Sequence, residues 1–135
     1  MSFTIGCDPE LILRLNGAFV SASKYFKRNS SFGLDGCNSV AELRPGYSES
    51  PIDLTAKLKI IIGCGHEKHP ELEMYAGHHQ SGYPIGGHIH ISVNPKPLLV
   101  DSLDTVLYSL SDCIDDKIQR EARERTGYGK RLSYR

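Results

Sequence analysis

Residues 5–22 read IGCDPELILRLNGAFVSA, and this stretch decides the fold. Leu11, Leu13 and Leu15 alternate with Ile12 and Arg14, the period of two that lets a strand bury one face. Asn16-Gly17 follows, and then Ala18-Phe19-Val20. An Asn-Gly pair between two apolar runs is the strongest short hairpin signal, because a type I′ turn holds both central residues at positive φ. The pattern predicts a hairpin of residues 5–15 with residues 18–22.

Downstream, residues 23–37 are polar and contain glycine, and read as a loop. Residues 38–44, NSVAELR, alternate again: Val40, Glu42 and Arg44 share one face, Ala41 and Leu43 the other, and Pro45 ends the strand. Ser50-Pro51-Ile52-Asp53 starts a helix, with Ser50 as N-cap and Pro51 where a missing N–H does no harm. Leu54, Leu58, Ile61 and Ile62 form its apolar stripe up to Gly63. Residues 63–70 read as a loop, 71–76 as a short strand and 77–84 as another loop.

Residues 85–93 read as a strand. His88, His90 and Ser92 fall on its polar face, Ile89, Ile91 and Val93 on its core face. Asn94-Pro95-Lys96-Pro97 stops it. A long helix is expected from an Asp101 cap, with Leu103, Val106, Leu107, Leu110, Cys113, Ile114, Ile118 and Ala122 at helical spacing and Gly127 at its end. The order of elements predicts one α+β domain over residues 1–135, a largely antiparallel sheet with helices packed on one face. The other face then carries polar side chains at alternate positions.

Composition excludes several classes of function. The 16 basic and 16 acidic residues cancel, so nothing recommends nucleic acid as a partner. The N-terminus lacks a basic segment followed by an apolar one, and the aliphatic run 58–62 is far too short to span a bilayer, so no membrane association is expected. Cys7, Cys37, Cys64 and Cys113 form no CxxC pair and read as reduced thiols in a cytoplasmic protein.

Three clusters carry chemistry. In a continuous strand Asp8 and Glu10 would point to one face, about 7 Å apart along it, although Pro9 between them belongs on an edge or a bulge. They can share an Mg²⁺ or Mn²⁺ ion, or simply belong to an ordinary Asp-Pro-Glu turn. Glu42, flanked by apolar residues, is costly to bury unless paired, with Arg44 the nearest partner. His88 and His90 straddle Ile89, and Gly86-Gly87 before them allows close approach of a ligand or another backbone. An HxH strand suits metal or phosphate, or one structural and one exposed histidine. A rival set, Cys64, His66 and His69 with His78 and His79 further on, has zinc-like spacing but lacks a second tight pair and reads as a surface loop. There is no Walker A loop, GxSxG or GxGxxG, and neither Cys7 nor Cys37 has a His close in sequence.

Taken in order, GCDPE at 6–10, DGCNSVAELRP at 35–45, GGHIHI at 86–91 and the tail YGKRLSYR at 128–135 resemble the phage-encoded carboxylate–amine ligases. These are the COOH-NH2 ligase type 2, or amidoligase, family, related to glutamine synthetase and glutamate–cysteine ligase. The resemblance implies a glutamine synthetase-like catalytic domain, of which this chain is the N-terminal part. It implies an ATP- and Mg²⁺- (or Mn²⁺-) dependent ligase that activates a small-molecule or peptide carboxylate as an acyl phosphate and lets an amine displace phosphate. It makes Asp8, Glu10, Glu42 and His88 metal ligands, with Asp8 either a direct ligand or a partner of one. His90 becomes a phosphate contact, or exchanges roles with His88. Arg44 holds the acidic substrate or a phosphate, and Arg131 and Arg135 steady the transferring phosphoryl group. The chain stops before the family's further strands, which implies a truncated gene product, a piece of a split gene or a minimal version completed by another subunit, and an open sheet edge that invites oligomerisation. The alternative is a non-catalytic metal-binding or interaction module that keeps the ligase sheet. A hydrolase using His88 and His90 is a third class.

Overall fold

From Thr4 to Leu15 the chain runs through the middle of the sheet as two strands, β1 (Thr4–Cys7) and β2 (Glu10–Leu15), bent at Asp8-Pro9. The computed structural model describes residues 3–77, 79, 80 and 82–92, and beyond these only Ser102, Ile118 and Glu121. The chain divides into two compact units, residues 1–93 and 94–135.

In the first unit, β3 (Ala18–Val20) returns from β2 through Asn16 and Gly17, at φ 52° and 75°. The register Leu13↔Val20, Arg14↔Phe19, Leu15↔Ala18 is the expected two-residue turn, but the hairpin is shorter than the expected 5–15 with 18–22, because residues 4–7 pair with other strands. Along the same edge lie β5 (Ala41–Leu43), outside which β4 (Phe32–Leu34) pairs, and then β6 (Tyr47–Ser48) beside β1. Leu43 donates to the Pro9 carbonyl while Tyr47 lies opposite Gly6, so residues 44–46 face only Cys7 and Asp8. The extra residue makes a bulge, and Gly46 takes the left-handed conformation (φ 73°) that the bulge demands. On the other edge β7 (Leu72–Tyr75) pairs with β2, and β10 (Ile89–Ser92) pairs with β1. All these pairings are antiparallel.

β2 is buried on both faces. Leu11 and Leu13 join Phe26, Phe32, Leu43 and Leu72 in the main cluster. Ile12 packs with Val40 and Ile85 on the other side. The main cluster is covered by α1 (Pro51–Lys68), whose Ser50 cap accepts from the Ile52 and Asp53 N–H groups at 3.1 and 3.5 Å.

Several expectations are corrected here. The helix does not stop at Gly63 but runs to Lys68, and within it Gly65 lies against Phe32, where a Cβ would sit 2.3 Å from Phe32 Cδ1. The expected loop 23–37 contains β4, a three-residue strand too short to show a period. The expected loop 77–84 contains a hairpin of β8 (His79–Gln80) and β9 (Tyr83–Pro84). In the strand expected over 85–93, residues 89–92 are β and residues 85–88 are not, Val93 lies outside the described residues, and Ile89 and Ile91 are 56% and 39% exposed rather than core. Among the described residues α1 packs on β1, β4, β5 and β6.

In the second unit Ser102, Ile118 and Glu121 are helical, and Ile118 is exposed rather than on a buried stripe. The rest of the expected helix, with its Asp101 cap, Cys113 and Gly127, lies outside the described residues. The described architecture is therefore α+β, a curled antiparallel sheet with one full helix. No helix among the described residues is long and apolar enough to cross a membrane.

Candidate functional site

The site grows from the bend between β1 and β2. Pro9 has no N–H, so the strand loses one ladder donor at this point. Its carbonyl still accepts from Leu43 at 2.9 Å. On the opposite edge residues 86–88 prolong the β10 pairing, with Asp8 donating to the His88 carbonyl at 3.2 Å and Glu10 to that of Gly86 at 2.9 Å. Gly87, at φ 150°, lies directly on the proline: a Cβ would sit 2.7 Å from Pro9 Cα. Gly87 thus serves a close backbone approach, whereas a Cβ at Gly86 would meet open space, and the approach at Gly87 brings His88 and His90 to Asp8.

The Asp8 carboxylate accepts from the His88 backbone N–H at 2.5 Å, and His88 Nδ1 lies 3.0 Å from its Oδ1. His90 Nε2 lies 3.1 Å from Oδ2. Burial alone would raise the Asp8 pKa; the His88 N–H, the His90 hydrogen bond and the two imidazole charges outweigh it and hold the carboxyl below its usual range. Glu10 accepts from the Gly86 N–H at 3.0 Å through Oε2.

Glu10 stands directly opposite Glu42 in the β2–β5 register. Like charges in that position repel. Glu10 is pushed above its usual pKa by burial and by Asp35, and further by Glu42. Glu42 is raised by burial and by Asp8 and Asp35, against the opposing pull of Arg44, whose Nε lies 3.0 Å from Oε1. Asp35 is the functional candidate that sequence reasoning missed. It begins the DGCNS turn between β4 and β5, where its N–H donates to the Val40 carbonyl, and nothing in a turn sequence marks its charge as facing the other acids.

Beside this bend opens a cleft of about 400 Å³, lined by Thr4, Gly6, Asp8, Glu42, Arg44, Tyr47, His90 and Ser92 among others. Its floor has a simple cross-strand logic. Tyr47, Gly6 and His90 lie in one row across β6, β1 and β10, and Thr4 pairs with Ser92 beside them. Gly6 carries no side chain, so the Tyr47 and His90 rings stand either side of bare backbone. Tyr47 is 74% exposed.

The structure thus brings Asp8, Glu10, Glu42, Arg44, His88 and His90 to one bend. Arg131 and Arg135 lie outside the described residues. As the side chains stand, no three His, Cys, Asp or Glu groups among the described residues converge as a metal centre. The donor chemistry nevertheless suits a hard cation: Glu10 and Glu42 face each other beside Asp35, with their ionisation opposed. The rival cluster is dispersed. Cys64 and His66 are exposed on α1, while the His69 ring packs edge-on against Tyr25 and Phe26 with Nδ1 3.4 Å from Glu71. Cys7, Cys37 and Cys64 are free thiols.

Neither a curated protein sequence nor a solved structure matches the chain. One family does: that described as phage phiEco32-like COOH.NH2 ligase-type 2 matches residues 5–135.

Proposed function

The chain belongs to the phage phiEco32-like COOH.NH2 ligase-type 2 family, and from that premise we propose that the cleft at the Asp8-Pro9 bend serves an ATP- and Mg²⁺-dependent carboxylate–amine ligation. The reaction runs through an acyl phosphate of the substrate, and the fold is a variant of the glutamine synthetase-like sheet. The observation that carries this reading is the Glu10–Glu42 pair: two carboxylates in direct register, with Asp35 adding to their repulsion. A site with that much opposed negative charge is built for a cation.

Glu10, Glu42 and His88 would hold the ion, with Asp35 adding charge nearby. Bound there, a divalent ion neutralises phosphate charge during transfer. The chain's own groups supply the rest. Asp8 orients both imidazoles. His90 presents its ring to the nucleotide, and the exposed Tyr47 ring offers a flat face across Gly6. The hydroxyls of Thr4 and Ser92 line the same cleft and offer hydrogen bonds. Arg131 and Arg135 are assigned to the phosphoryl group by the family resemblance alone.

Hydroxylamine trapping tests this reading. The full chain, ATP and Mg²⁺ are incubated with a panel of amino acids and short acidic peptides. A hydroxamate that requires both ATP and Mg²⁺ is the expected product. Mn²⁺ binding without nucleotide hydrolysis or hydroxamate would instead favour the non-catalytic module.

A further inference from the structure

Arg44 sits beside the cleft and looks, from sequence, like a residue for an anionic substrate. Its contacts point elsewhere. Nη1 donates to the Arg28 carbonyl at 2.9 Å and Nη2 to the Leu34 carbonyl at 2.7 Å, while Nε meets Glu42 Oε1 at 3.0 Å. All three guanidinium nitrogens are therefore engaged by the protein. A planar guanidinium fixed at three points can set the orientation of whatever it touches, which a lysine ammonium cannot reproduce.

The path of this side chain is built into β4. Gly33 is the cross-strand partner of Glu42. A Cβ at Gly33 would lie 2.0 Å from Arg44 Nη1, and 2.6 and 2.7 Å from the carbonyl oxygens of Arg28 and Ser30. No other residue type leaves room for the guanidinium to cross the strand. The Arg44 N–H also donates to the Ser31 carbonyl at 2.7 Å, which pins the base of the side chain.

We infer that Gly33 and Arg44 form a lock that positions the Glu42 carboxylate, and that Arg44 acts on the site through Glu42 rather than by holding substrate. This rests on the proposed reading in one respect only, that Glu42 is the group whose orientation matters for a cation. The lock fixes one carboxylate oxygen and so presents the group to the cleft in a single orientation. Outer partners of this kind change metal affinity by about 10–100-fold when removed.

The test is made on the full chain with two readouts. The first is Mn²⁺ affinity by electron paramagnetic resonance. Arg44→Lys is expected to weaken Mn²⁺ about tenfold, and Gly33→Ala to do the same by displacing the guanidinium. Methylguanidinium is expected to restore binding to Arg44→Ala. The second readout needs no metal: the denaturant midpoint drop caused by Arg44→Lys shrinks when Glu42 is already Gln. Wild-type Mn²⁺ affinity in Arg44→Lys, or a defect confined to the KM for the acid substrate, would overturn the lock. Equal midpoint drops in both backgrounds would also overturn it. A chain that binds no Mn²⁺ but keeps the midpoint coupling would remove the proposed function and leave the positioning role standing.

Discussion

One continuous stretch of chain does two different jobs on either side of Pro9. In β2, both faces are covered: Leu11 and Leu13 on one side and Ile12 on the other are almost wholly buried, and three strands pair along its length. In β1, only Gly6 is buried, one face looks into the cleft, and the neighbouring β10 residues Ile89 and Ile91 remain exposed. The same antiparallel ladder thus supports a core in one half and a polar site in the other. The buried half fixes the position of the other, which can then carry charges that would be intolerable in the core.

That contrast can be broken at its strong end first. Leu13→Ala removes a fully buried side chain from the main cluster and is expected to cost about 2–5 kcal/mol in urea unfolding. Tyr47→Ala in the polar half should stay within about 0.5 kcal/mol on the same measurement. Equal losses would dissolve the distinction. Next comes the joint between the halves. Gly87→Ala forces a Cβ against Pro9 at a φ unfavourable for L-residues, and an expected loss of about 1–3 kcal/mol should come with loosened His88 and His90 resonances in NMR spectra.

The smallest effect is a pH signature of the polar half. Glu10 titrates above its ordinary value in the fold, so its ionisation opposes folding. That penalty is absent below about pH 4 and grows as pH rises through the raised pKa. Glu10→Gln is therefore expected to raise Tm at pH 7 and to leave it unchanged near pH 3. Asp8 has the opposite sign. Its lowered pKa contributes stability above its usual pKa that is lost as pH falls through the depressed value, so Asp8→Asn should lower Tm at pH 7 and converge with wild type at low pH. Thermal melts across this range check both, and the same sign for the two variants would contradict the electrostatic account.

Much of this division is written in short-range sequence. Asn16-Gly17 demands a type I′ turn, and Ser50-Pro51 caps a helix whatever surrounds it. The alternation around Glu42 and the HxH pair placed charged groups on definable faces. What stayed illegible depends on contacts between distant segments. Gly33, Gly65 and Gly87 look alike in sequence, yet one admits a guanidinium, one a phenyl ring and one a proline. Arg44 has the appearance of a substrate residue until the carbonyls of Arg28 and Leu34 are in view. Asp35 joins the acids only because β4 and β5 fold its turn toward them. The exposure of Ile89 and Ile91 likewise departs from what the period of their strand suggests.

The central claim is that the polar half of the strand is a cation and nucleotide site. Anomalous diffraction at the manganese edge, on crystals of the full chain grown with Mn²⁺ and a non-hydrolysable ATP analogue, tests it most directly. The account predicts a peak about 2.0–2.3 Å from oxygens of Glu10 and Glu42 and a nitrogen of His88, with the analogue in the cleft beside Tyr47 and His90. Saturating Mn²⁺ with no peak at the bend, or a peak only at the exposed Cys64 and His66, would contradict it.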